Sequence, residues 1–282
     1  MVYFCADDYG LSYNGNSRIE NCLKNGVLNK ISVLPNGELA NFKQSFLSSD
    51  AVLSLHINLI EGYPLSNPED VDLLITDDGC FKYSFLGLLL LSFSSKRKKL
   101  KKQLYNEIQK QVRFWKDCVG EDKPLSIDSH QHTHMIPLVF KTLMRVIKDE
   151  KLNVGNVRVP SEPILPYIFS PSLYFSYSPV GLLKQWLLKF LAFINRKEIK
   201  LPYAYFMGVM FSGKVTERKI EKLLPHYMKL AEKNGKDIEI GFHPGYFEND
   251  EDIIRGSQKS FDKFYFSRWR KKEYDTLMNL KF

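Results

Sequence analysis

Apolar positions along this chain follow two alternating rhythms. Residues 2–6, 31–34, 52–59, 126–128, 157–159 and 238–242 are short runs, continuous or alternating in polarity, that read as strands. Between them the period lengthens. Residues 16–25, 96–115 and 137–150 place apolar side chains at helical spacing, with Gly26 as a stop for the first, and 40–48 also suit a helix. Residues 61–81 read as a loop punctuated by Gly62, Pro64, Pro68 and Gly79. The unit that repeats is strand, polar motif, helix. No internal repeat and no shift of composition forces a boundary, so the pattern predicts one α/β domain over residues 1–282. A chain of this length fits a single α/β barrel, where the chemistry gathers on loops at the C-terminal ends of the strands.

Two stretches fall outside that rhythm. Residues 85–93 are almost wholly apolar, but a membrane span needs about 20 residues. Residues 164–194 are rich in aromatics and Leu and are broken by Pro166, Pro171 and Pro179. Within them, 181–197 mixes Leu, Trp and Phe with Lys184, Lys189, Arg196 and Lys197. A basic amphipathic helix of this kind suits a peripheral membrane contact, and its apolar stripe equally suits core packing or a homodimer surface. The region of about 164–200 is read as an apolar insertion or lid.

Composition narrows the class. An apolar fraction of 44%, with 20 Phe and 15 Tyr, supplies a substantial core and excludes global disorder. The net charge is +8, concentrated around 96–102, 196–200 and 268–272, blocks that read as solvated faces or tails. This permits contact with anionic surfaces; it does not indicate a nucleic-acid partner. Four cysteines without CxxC spacing read as reduced thiols of a cytosolic protein. Met1 leads directly into an apolar strand rather than a charged region and long apolar run, so no signal peptide is expected. The expected location is cytoplasmic, with membrane association if the basic apolar stretch docks.

The chemistry is concentrated in four motifs: Ala6-Asp7-Asp8-Tyr9-Gly10, Leu55-His56-Ile57-Asn58-Leu59, Asp128-Ser129-His130-Gln131-His132-Thr133-His134 and Gly241-Phe242-His243-Pro244-Gly245. They hold five of the chain's six histidines. Histidine and aspartate are the ligands that a catalytic divalent metal uses, with a position left for water. In a turn after the first strand, one of Asp7 and Asp8 can bind a metal while the other faces bound water. His56 and Asn58 share one face of an alternating strand. If the fourth strand continues, Asp128, His130, His132 and His134 project to one face, and Asp128 either ligates or orients a ligand imidazole. His243, held at a strand end by Pro244-Gly245, suits a general acid or base. His226 lies in a helix-like stretch and is assigned no role.

These pieces closely resemble the YdjC-like carbohydrate deacetylase family. The resemblance rests on the four motifs, on Glu61-Gly62-Tyr63-Pro64-Leu65-Ser66 and Asp77-Asp78-Gly79-Cys80-Phe81, and on Val157-Arg158-Val159-Pro160, all in the family's order. It covers residues 1–160 and 236–250 and does not extend over 164–200. The resemblance implies a modified, TIM-like (β/α) barrel, one divalent metal ion, and removal of an N-acetyl group from an acetamido sugar such as a chito-oligosaccharide. It implies Asp8, His56 and His130 as metal ligands, Asp7 as general base and His243 as general acid, with Arg158 paired to a catalytic carboxylate. His132, His134, Asn58, Tyr9 and Glu61 become candidates to contact substrate, and Asp128 to support a ligand from behind. Tyr63, Tyr167 and Trp186 join Tyr9 as candidates to stack on sugar rings. Two imidazoles and a carboxylate favour zinc over magnesium on ligand softness. The alternatives are a deacetylase of a lipid-linked amino sugar at the membrane surface, a metal-dependent phosphoesterase, and a non-catalytic sugar-binding protein.

Overall fold

The computed structural model describes residues 1–39, 50–120, 124–211, 213–249 and 263–282; the helix expected over 40–48 lies outside them. Among the described residues, seven strands form one curled, wholly parallel sheet: β1 Val2–Tyr9, β2 Lys30–Val33, β3 Val52–Ile57, β4 Leu125–Ser129, β5 Val154–Val157, β6 Tyr205–Met207 and β7 Ile238–Phe242. Their order is β5-β4-β3-β2-β1-β7-β6. Chain order thus runs round the sheet, and the edges β5 and β6 face each other across a seam. There the Val157 amide donates to the Pro202 carbonyl at 2.9 Å. The expected barrel is realised as a curled half-barrel of seven strands with helices outside.

Among the described residues, helices fill the crossovers β1–β2, β3–β4, β4–β5, β5–β6 and β6–β7 that parallel neighbours require. They are α1 Tyr13–Asn25, α2 Arg97–Val119, α3 Pro137–Asp149, α4 Pro179–Asn195 and α5 Glu217–Asn234, followed after β7 by α6 Arg268–Asn279. Local chemistry sets their ends. Ser12 accepts the Gly15 amide at the start of α1, Pro137 opens α3 where no donor is needed, and Gly235 closes α5 in the left-handed conformation. α3 buries Leu138, Val139, Phe140, Leu143 and Val146, each contributing about 1.5–3 kcal/mol of burial.

Several elements differ from expectation. β1 runs through the aspartate pair to Tyr9 instead of stopping at Ala6. β5 lies at Val154–Val157 rather than 157–159, because its pairing with β4 starts at Val154 opposite Leu125. β6 is too short to give a readable period, and α6 occupies a basic stretch expected to be solvated. The apolar run after Tyr83 forms a short helix, Phe85–Leu91. The 164–200 region holds a short helix, a 3₁₀ turn and α4, and forms the connection between β5 and β6. Among the described residues, no helix is long and apolar enough to cross a membrane. All four cysteines are free thiols.

The mouth of β3 is pinned by polar side chains of α2. Gln111 accepts the Asn58 amide at 3.0 Å and donates to the Asn58 carbonyl at 2.6 Å. Glu107 accepts the amides of Leu65 and Ser66 at 3.0 and 2.9 Å. Both side chains are fully buried. Gln111→Ala leaves two main-chain groups unsatisfied and is expected to cost about 2–6 kcal/mol, at about 1–3 each, measurable as a lowered urea midpoint. An unchanged midpoint would show that water replaces the latch.

Candidate active site

The C-terminal ends of β1, β3, β4 and β7 carry the four motifs to one end of the sheet. In a regular strand Asp7 and Asp8 would face opposite sides. Here Asp8 adopts a φ of 72°, and pairing with β2 slips between Ala6 and Tyr9. The result is a bulge, which serves in place of the expected turn. Both carboxylates are buried. Gly10 follows at φ 108°, with Leu34 so close that an added Cβ would lie 3.2 Å from its carbonyl oxygen. A left-handed conformation at a residue other than glycine costs about 1–3 kcal/mol, so packing must hold Asp8 in place.

His56 pairs in register with Asp128 across β3 and β4. Its Nδ1 lies 2.6 Å from Asp128 Oδ1. Asp128 thus stands behind the imidazole. His56 Nε2 is buried without a hydrogen-bond partner and points toward Asp8 Oδ1 at 3.5 Å. An imidazole oriented by a carboxylate and presenting its other nitrogen is how histidine meets a metal.

The histidine-rich motif does not continue the strand, and this corrects the expected alternation on one face. β4 ends at Ser129, and His130–Met135 forms a 3₁₀ segment kinked at Gln131 (φ 49°) and His132 (φ 60°). The three imidazoles consequently diverge. His130 faces Asp8 Oδ1 through Nδ1 at 2.8 Å and Glu61 Oε2 through Nε2 at 2.9 Å. His132 packs edge-on against Phe206 and keeps a buried Nδ1 without a hydrogen-bond partner. His134 is fully buried with both nitrogens committed, Nε2 to the Arg158 carbonyl at 2.7 Å and Nδ1 to Ser129 Oγ at 2.5 Å. That bonding corrects the reading of His134 as a substrate contact.

Two other expected substrate contacts are also structural. Asn58 caps its own turn, accepting the Ile60 and Glu61 amides and donating to the Glu61 carbonyl at 2.7 Å. Tyr9 is buried in the core and donates to Glu20 at 2.7 Å. Tyr167 is likewise a core residue, whereas Tyr63 and Trp186 are exposed. Glu61 does reach the site, where it bonds His130 and receives the Tyr265 hydroxyl.

Asp8, His56 and His130 each offer one ligand atom, all within 4.8 Å of one another. The donor set and the free His56 Nε2 fit a divalent ion. A second acidic trio, Cys5, Asp7 and Asp128, is equally tight, but the Arg158 guanidinium already serves it. Arg158 grips Asp7 with two nitrogens at 2.6 and 2.8 Å and reaches Asp128 at 2.9 Å. It also donates to Glu239 at 2.7 Å, and Glu239 in turn accepts from buried Lys30 at 2.7 Å.

The charges follow this geometry. Burial opposes ionisation of Asp7, but Arg158 and His56 hold its pKa below the usual carboxylate range. Burial likewise acts on Asp8, and His130 and Arg270 outweigh it, holding the carboxyl well down. Burial disfavours charge on His56, yet Asp128 pushes the ring up to about 9. For His130, burial is overcome by Asp8 and Glu61, raising it to about 10. His132 and His134 have no such carboxylate hydrogen bond; burial and then Arg158 keep His132 well below the ordinary histidine value.

His243 follows β7, which pairs with β1 in the register Ala6 to Phe242, so His243 and Asp7 leave neighbouring strands at the same level. Its amide donates to Glu273 Oε2 at 2.7 Å, and its ring remains partly exposed. The sequence reading missed Arg270, which binds Asp8 Oδ2 at 2.7 Å from α6. Its signal was available. Arg270, Glu273, Thr276 and Leu277, all buried, recur at helical spacing inside the supposedly solvated basic stretch. Glu239 between two isoleucines was a similar clue, since a charge in an apolar strand needs a buried partner.

The YdjC-like protein family model matches residues 1–282. The chain belongs to the YdjC-like family. It is similar to a carbohydrate deacetylase of Danio rerio, 27% identical over 210 residues, which are 74% of this chain and 64% of that protein. It is also similar to a carbohydrate deacetylase of Thermoanaerobacter pseudethanolicus, 39% identical over 82 residues, 28% of this chain and 33% of that one. The chain therefore spans less than two thirds of either relative's length. A solved structure from Enterococcus faecalis V583, described as a candidate cellobiose-phosphate cleavage protein, superimposes with a TM-score of 0.66 at 17% identity, covering 99% of this chain and 90% of that one. At that identity the likeness bears on the fold alone.

His134 supplies a pH prediction. Burial, then Arg158, lowers its pKa from 6.5 to about 4 despite the bond to the Arg158 carbonyl. A histidine depressed in the folded state contributes stability that is present above its unfolded pKa and lost as pH falls through the folded one. Unfolding free energy should therefore drop by about 3 kcal/mol between pH ~6.5 and ~4. Denaturant melts over this range check the slope. An NMR titration placing the His134 midpoint near 6.5 would refute the assignment.

Proposed function

We propose that this protein is a metal-dependent hydrolase that removes the N-acetyl group of an acetamido sugar, releasing acetate and a free amine. The observation that carries this reading is the convergence of Asp8, His56 and His130 beside the Asp7–Arg158 pair. The likeness to carbohydrate deacetylases supports the substrate class. Zinc suits two imidazoles and one carboxylate better than magnesium does.

When bound, the ion supplies a Lewis acid that acidifies water and polarises the acetamide carbonyl. The chain's own residues do the rest. Arg270 occupies Asp8 Oδ2 and so leaves Oδ1 facing the two imidazoles. Asp128 fixes the His56 ring. Asp7, kept ionised and oriented by Arg158, accepts the proton of the attacking water. His243, one strand away and partly open to solvent, donates a proton to the departing amine. His132 contacts the sugar in this proposal, a role supported by its spare nitrogen.

Acetate release from N-acetylglucosamine oligomers by metal-stripped protein, with single metals restored, tests the proposal. Release should depend on the added metal, and Asp7→Asn should reduce it by about 10²–10⁴-fold with metal binding retained. Stoichiometric metal binding without release from any acetamido sugar would overturn it. Arg270→Gln should weaken metal affinity by about 10–100-fold, as removal of a ligand's outer partner does, measured by competition with a chelating dye. Unchanged affinity would remove Arg270 from the site.

A further inference from the structure

α4 packs one face against α3 and the 3₁₀ segment after β4 and leaves the other bare. Gln185, Leu188, Leu191 and Asn195 point inward, where Asn195 donates to the Met135 carbonyl at 2.8 Å. On the opposite side Leu183, Trp186, Phe190 and Phe193 recur at intervals of three, four and three residues, which lines them up along one stripe. They are 72%, 66%, 60% and 60% exposed. Four consecutive large apolar side chains at this exposure on a helix are not scattered surface residues but a continuous ridge, and such a patch marks an interaction surface.

The charges around the ridge decide what covers it. Lys189, Arg196 and Lys197 lie on the same helix and its C-terminal end, with Arg196 over the Phe193 ring at 3.9 Å, and from Pro163 to Lys197 the chain contains no Asp or Glu. A second copy laid against the ridge across a two-fold axis would set these cations near their own counterparts with no acid in the segment to pair them. An anionic lipid surface satisfies both features. The apolar ridge enters the acyl boundary, while the long lysine and arginine side chains reach the headgroups. The loop leading into α4 adds a fully exposed Phe175. The chain's net charge of +8 acts in the same direction.

We propose that the outer face of α4 is a peripheral docking surface for an anionic lipid bilayer. The helix also touches the side of the molecule that carries the site. Lys184 lies over the Phe264 ring at 5.7 Å, and the adjacent Tyr265 bonds Glu61. The docking surface itself does not depend on which reaction the site performs.

Flotation of the full chain with vesicles tests this. The protein should float with phosphatidylglycerol-rich vesicles, weakly with pure phosphatidylcholine, and less as salt rises. Trp186→Glu with Phe190→Glu should reduce partition by about tenfold or more, with circular dichroism and melting temperature unchanged because both side chains are exposed. Lys189→Gln with Lys197→Gln should reduce binding to the anionic vesicles only. Absence of flotation with anionic vesicles, or flotation indifferent to Trp186→Glu/Phe190→Glu, overturns the proposal. So does a wild-type dimer in sedimentation velocity that this pair of substitutions dissolves, which would assign the ridge to a second copy.

Discussion

One guanidinium lies where the strands of the curled sheet face one another. Arg158, immediately after β5, contacts Cys5 and Asp7 of β1, Ser32 of β2, Asp128 of β4, Glu239 of β7 and the ring of Phe206 in β6. Burying a charge this deeply is tolerable only when partners surround it on all sides. Three carboxylates, Asp7, Asp128 and Glu239, face two fixed cations, Arg158 and Lys30. The remaining negative charge is the one that His56 answers. The interior therefore balances only when the strands sit in this arrangement, and the position of the site residues follows from it.

The site is built outward from that balance. Asp128 serves Arg158 with one oxygen and His56 with the other, so the residue that orients a metal-facing imidazole is also part of the interior ion network. Asp8 is similarly shared between His130 and Arg270. Strain is concentrated at Asp8, Gln131 and His132, the three left-handed residues in the motifs. Holding a few residues in costly conformations is affordable where neighbours over-determine them, and here each lies between a strand end and a buried hydrogen-bond network.

Much of this was legible in the sequence, and the exceptions have physical causes. β2, β3, β4 and β7 were readable because a buried parallel strand must be a short apolar run. The family resemblance drew Asp7, Asp8, His56, His130 and His243 together, and their strands do end on one side of the sheet. Alternation misled at His130–Met135, because a histidine spacing of two describes a strand only while the backbone stays extended, and the backbone there turns at Gln131. Asn58 and Tyr9 looked like site residues by position in a motif, but a motif also contains the residues that hold its turn together. Arg270 was hidden by a basic run, where the eye weighs net charge and overlooks the helical period. β6 offered only Tyr205–Met207, too little pattern to separate from a loop.

The two edges of the sheet meet through the Val157 amide and the Pro202 carbonyl. Elsewhere neighbouring strands are laced by ladders, the longest unbroken one along β1 and β7, where five residue pairs stand in register. Among the described residues the seam is the sheet's thinnest joint. Val157 and Arg158 are consecutive residues, so the bond that crosses the seam and the guanidinium that holds Asp7 belong to one stretch of backbone, and a displacement that opens the seam also moves that guanidinium.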